Sequence, residues 1–103
     1  MSEDKLIEEG KKEEKKVILM DFAAKWCGPC KMQDPILEDL KKKFEDKVEF
    51  KKIDVDEDGK LADKYIVRAI PTLIIEKDGK IFKTYIGVTS LKELEKTIED
   101  ALQ

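Results

Sequence analysis

Asp21-Phe22-Ala23-Ala24-Lys25-Trp26-Cys27-Gly28-Pro29-Cys30-Lys31-Met32 carries the chain from one kind of structure into another. Behind it, Val17 to Phe22 is a short apolar run broken by a single carboxylate, which predicts a strand buried on both faces, as in a parallel sheet. Ahead of it, Met32, Ile36, Leu37, Leu40 and Phe44 recur at helical spacing and predict a helix over residues 28–46 with one apolar stripe. Pro35 falls inside that helix, where it removes a backbone bond and predicts a kink. The only two cysteines in 103 residues stand at the junction.

Working outward, residues 48–54 return to strand character, with Val48, Phe50 and Lys52 on one face and Ile53 on the other. Lysine is out of place beside two apolar neighbours. Asp54-Val55-Asp56-Glu57-Asp58-Gly59 has the acids and glycine that open a calcium-binding loop, but its twelfth position is Tyr65 where a bidentate Glu is needed. A surface turn leading into a short helix, Lys60 to Tyr65, is the better reading. Residues 72–76 and 80–86 flank Lys77-Asp78-Gly79 and predict a hairpin whose second strand lies at an edge. Ser90 with Glu93 forms a capping box ahead of Leu91, Leu94, Ile98 and Leu102, the stripe of a C-terminal amphipathic helix. Residues 1–16 read as a mostly solvated helix anchored by Leu6 and Ile7. The expected fold class is therefore α/β: a central mixed sheet of four strands with helices on both faces, preceded only by a helix.

Composition sets limits on function. The chain is 103 residues long, which predicts one domain spanning 1–103. Apolar residues make up 41% and charged residues 44%, and no apolar stretch is long enough to cross a bilayer. The amino end lacks the apolar core of a secretory signal, so a cytoplasmic location is expected. The 21 basic and 24 acidic residues leave a net charge of -3, and the lysines are interleaved with acids. Nucleic acid is not an expected partner.

In a reducing compartment two cysteines point to reactivity or metal binding more than to a structural staple. A Cys-x-x-Cys at a helix start places the first sulfur by unpaired backbone N–H groups, which favours its thiolate, and puts the second one turn deeper. The Cα separation of such a pair suits a bond that opens and closes. Cys27 is the candidate nucleophile and Cys30 the resolver. Pro29 removes a potential donor to the sulfurs, and Gly28 lets another chain come close. A zinc site would need carboxylates or a second chain to complete its ligands, and no metal is expected. Two inert core thiols are the plainer alternative. Asp21, between Met20 and Phe22, is expected to be buried, and burial raises a carboxyl pKa toward the range of a general base.

Asp21 to Met32, then Pro35, then Ile70-Pro71-Thr72-Leu73 with Gly87 after the hairpin, together resemble the thioredoxin family from about Val17 to the C-terminus. The resemblance implies a thioredoxin fold with its usual first strand missing, and a thiol-disulfide oxidoreductase that reduces disulfides in other proteins. It implies that Pro71 is cis and faces the cysteines. A groove of Trp26, Gly28, Pro29, Ile70, Pro71, Ile86, Gly87 and Val88 would then receive an extended substrate, with ordinary core as the alternative for Ile86 and Val88. It implies that Asp21 accepts the proton of Cys30 and that Lys52 pairs with Asp21; a purely structural ion pair is the competing role. The expected partners are disulfide-containing proteins and a thioredoxin reductase. No cofactor is expected, because the chain has no G-x-G-x-x-G and no spare cysteine. A monomer is expected. Gly28-Pro29 between the cysteines argues for a reductant over an oxidase or isomerase. A redox-gated binding module without turnover is the alternative outside enzymology. Ala23 departs from the family, which often has a second tryptophan there.

Overall fold

The computed structural model describes residues 15–103. Among these residues four strands form one mixed sheet in the order β2-β1-β3-β4, with β1 at Val17–Ala23, β2 at Val48–Asp54, β3 at Thr72–Lys77 and β4 at Lys80–Ile86. Helix α1 (Gly28–Phe44) links β1 to β2, α2 (Gly59–Lys64) follows β2, and α3 (Leu91–Ala101) closes the chain. β1 pairs with β2 in parallel and with β3 antiparallel, so it lies at the centre with both faces covered. This is why its sequence is nearly continuous apolar rather than alternating. The expected leading helix, and the absence of a first strand, concern residues that lie outside those described.

Alternation along β1 sorts its side chains between two cores. Val17 and Leu19 join Val48, Leu73 and Ile75 under α1 and α3, which contribute Leu40, Phe44, Leu94 and Ile98. Met20 and Phe22 join Ile53 and Ile74 on the opposite face, against Ala62 of α2. Asp21 falls on the α1 face, in line with Leu19. Full burial of Phe22, Leu19, Leu40, Leu73 and Leu94 is worth roughly 1.5–3 kcal/mol for each side chain. Helices thus cover both faces, as expected.

Local chemistry ends the elements where the sequence suggests. Asp78 (φ 53°) and Gly79 (φ 83°) are both left-handed, the geometry of a two-residue hairpin loop. Ser90 caps α3 by accepting from the Glu93 amide at 3.2 Å. Asp58 caps α2 in the same way, accepting from Leu61 at 3.1 Å, so that helix begins one residue earlier than its apolar pattern indicates. At the other end of α2, Ile66 donates to Asp63 O and Val67 donates to Ala62 O, a pair of bonds that forces Ile66 to φ 56°. α1 runs through the exposed Pro35 as one element. β4 is an edge, exposed along nearly all its length, and Phe82 is an extra residue between the pairs Ile75–Lys83 and Glu76–Ile81.

Candidate active site

The end of β1 and the start of α1 meet at the cysteines. Cys27 is the N-cap of α1, with extended backbone (φ -90°, ψ 109°), and its sulfur accepts from the Cys30 amide at 3.1 Å. A sulfur here occupies the place usually taken by a serine or aspartate oxygen, among the unpaired N–H groups of the first turn. Pro29 removes one of those donors, and Cys30 lies at the third helical position. The two residues are joined as a disulfide with a Cα–Cα distance of 5.3 Å. Both are buried, packed with Ala23 and Ala24 against Val55 and Ile70.

Around this pair the surface is open. Trp26 is 69% exposed, and its indole Nε1 donates to Asp56 Oδ2 at 2.8 Å. The acidic run that mimics a calcium loop is spent on other tasks. Asp54 Oδ1 accepts from the amides of Asp56 and Glu57 and turns the chain, Asp56 anchors the tryptophan, and Asp58 caps α2. The space where a Gly28 side chain would stand is free of chain atoms within 4 Å, so a partner's backbone can occupy it. Ile86 and Val88 are exposed, not core, and Gly87 between them has φ 93°, a conformation that glycine alone adopts readily. The Ile70–Pro71 peptide bond is cis, as the resemblance implies. Ile70 packs against the cysteines, whereas the Pro71 ring is fully buried and its carbonyl accepts from Gly87 N at 2.8 Å.

On β1, two residues before Ala23, Asp21 is 5% exposed and its Oδ1 has no hydrogen-bond partner among the described residues. Burial pushes its carboxyl up from 3.8 to about 6; Lys52 draws it down and Asp34 adds to the rise. The expected Lys52–Asp21 pair is not formed. Lys52 Nζ instead lies 3.2 Å from Asp34 Oδ1 on α1. The reason is desolvation: Asp34 is half-exposed, so the ammonium can meet it while remaining largely in water. Asp34, with Lys52, lines both a cleft of about 490 Å³ that reaches Cys30 and a cleft of about 260 Å³ that reaches Asp21. Asp34, Asp56, Gln33 and Thr89 were not legible as site residues. No short-range pattern marks them, although an acid one helical turn beyond Cys30 was a usable hint for Asp34.

A Cys-x-x-Cys disulfide whose first sulfur caps a helix, with a cleft reaching the second and a buried carboxyl on the preceding strand, defines a protein of thiol-disulfide exchange. The thioredoxin family model matches residues 3–100. A thioredoxin of Bacillus subtilis is 45% identical over 86 residues, covering 84% of this chain and 83% of that protein. Among solved structures, a mutant thioredoxin from Halobacterium salinarum superposes with a TM-score of 0.81 at 37% identity, covering 88% of this chain and 79% of that one. Mitochondrial thioredoxin 3 of Saccharomyces cerevisiae, in its oxidised form, gives a TM-score of 0.76 at 40% identity over 92% of this chain and 89% of its own. The chain belongs to the thioredoxin family. It is a protein-disulfide reductase whose redox-active pair is Cys27–Cys30. No helix among the described residues is long and apolar enough to cross a membrane.

Proposed function

We propose that Cys27 is the attacking sulfur and Cys30 the resolving one. The Cys27 thiolate attacks one sulfur of a substrate disulfide, forming a mixed disulfide and expelling the other substrate sulfur as a thiolate. Cys30, losing its proton to Asp21, then attacks Cys27 Sγ. The Cys27–Cys30 bond forms, the second substrate sulfur leaves, and two electrons have passed to the substrate. A carboxyl at about 6 is matched to this task, because it is largely ionised at neutral pH yet still basic enough to hold a proton. Lys52 acts on Asp21 through its field, tempered by Asp34. The observation that carries the assignment is the Cys27 sulfur in the N-cap position of α1, accepting from Cys30 N.

Trp26, Gly28, Pro29, Ile70, Ile86, Gly87 and Val88 form the docking surface in this reading, with Pro71 beneath it. Exposed apolar side chains gathered around a reactive bond suit an extended peptide better than a small polar ligand. Electrons return from a separate thioredoxin reductase. In this reading the chain works as a single-domain monomer in the cytoplasm.

Insulin reduction with dithiothreitol as donor tests the reading. The native chain turns over, and Cys30→Ser stalls at a mixed disulfide on Cys27. Equal turnover in the two proteins refutes the division of roles, and no dithiol-dependent turnover in either would favour a redox-gated binding module.

A further inference from the structure

Gln33 stands on α1 one turn beyond Cys30 and is fully buried, an uncommon place for a primary amide. Both ends of that amide grip one residue. Nε2 donates to the Thr89 carbonyl at 3.0 Å, and Oε1 accepts from the Thr89 amide at 2.7 Å. The Thr89 hydroxyl then donates to Gly87 O at 3.1 Å, and Gly87 N donates to Pro71 O at 2.8 Å. A continuous run of hydrogen bonds thus leads from the helix carrying both cysteines, through the loop after β4, to the residue next to Ile70.

The loop needs such a hold. Its apolar side chains face water, with Ile86 73% and Val88 44% exposed, and Gly87 offers nothing to pack. Pairing with Thr72 holds Ile86 at the end of β4, but packing does not fix the residues just beyond it, and the drive on exposed Val88 is to fold inward. Hydrogen bonds to the backbone on both sides of Thr89 oppose that collapse, and without Gln33 two buried main-chain groups would lack partners.

We propose that Gln33 is a positioning residue for protein substrates, its two-point clasp on Thr89 holding the Gly87–Val88 loop that follows β4 out from the disulfide so that the docking groove is already open. The proposal rests on the docking surface described above. It assigns Gln33 no part in sulfur exchange itself, so substrates that need no groove are indifferent to it.

Gln33→Leu, which keeps the volume and removes the donor and acceptor, separates these effects. With insulin as substrate, KM should rise roughly 5- to 20-fold while kcat stays within about twofold, the range expected when paired bonds to buried main chain are lost. Reduction of a small aromatic disulfide such as dithiobis(nitrobenzoate) should be unchanged, and the Thr89 amide should lose hydrogen-exchange protection. Gln33→Glu, which retains the acceptor for Thr89 N–H, should fall between. An unchanged KM, or equal losses on insulin and on the small disulfide, would overturn the proposal. If Gln33→Leu does not fold, Gln33→Met, which likewise removes both bonds of the clasp, should give the same split, and no split would again overturn it. Ile86→Ser distinguishes the levels: if it raises KM while Gln33→Leu does not, the clasp fails alone, and if neither does, the docking surface fails with it.

Discussion

Replacing Asp21 by Asn should stabilise this protein by an amount that depends on pH. The carboxyl is almost inaccessible, one oxygen lacks a partner, and its pKa is raised from 3.8 to about 6. Below pH 4 it is protonated in both folded and unfolded chains, and Asn changes little. Between pH 4 and 6 the unfolded chain releases the proton while the folded one retains it, so stability falls as pH rises. Above pH 6 the folded chain carries a buried charge, at a standing penalty of about 3 kcal/mol for a shift of this size. Asp21→Asn removes that penalty. Urea unfolding of the oxidised proteins should therefore give nearly coincident stabilities at pH 4 and a gap approaching about 3 kcal/mol at pH 7.5. The same variant should resolve its mixed disulfide more slowly. A stability gap that is flat from pH 4 to 7.5 would refute the account of burial, and an unchanged resolution rate would refute the proton-acceptor role.

Two further outcomes follow from the geometry. Ile66 holds the left-handed position after α2, where its branched side chain is strained and 68% exposed, so Ile66→Gly should raise stability by about 0.5–1 kcal/mol, measured by denaturant unfolding. Asp34→Asn should shift the pH midpoint of mixed-disulfide resolution downward and Lys52→Met should shift it upward, read by stopped-flow across pH 5–8, because the two side chains pull the Asp21 carboxyl in opposite directions.

The parts of this fold legible in the sequence are those whose causes lie close together along the chain. The apolar run at β1, the Asp78-Gly79 turn and the Ser90–Glu93 cap each depend on residues within a few positions of one another, and all three stand where the pattern places them. The cysteine pair belongs with them. What escaped depends on partners brought together only by folding. Gln33 and Thr89 are 56 positions apart, and Trp26 and Asp56 are 30 apart. Lys52 could be seen as misplaced among Val48 and Phe50, but not which carboxylate it would choose, since that depends on the relative exposure of Asp21 and Asp34. Ile66 was invisible for a different reason: the backbone bonds that close α2 impose a glycine-like conformation on a residue whose own preference opposes it.

β4 has a consequence for how the protein behaves in crowded solution. An edge unpaired among the described residues, with Ile81 54% and Phe82 43% exposed, is a template onto which a second chain could add a strand. Lys80 and Lys83 place positive charge along that edge, and the extra residue at Phe82 breaks the regular spacing that an incoming strand would have to match. Resistance to sheet-to-sheet aggregation thus depends on two ammonium groups and one irregularity in a single strand, more than on the modest net charge of -3.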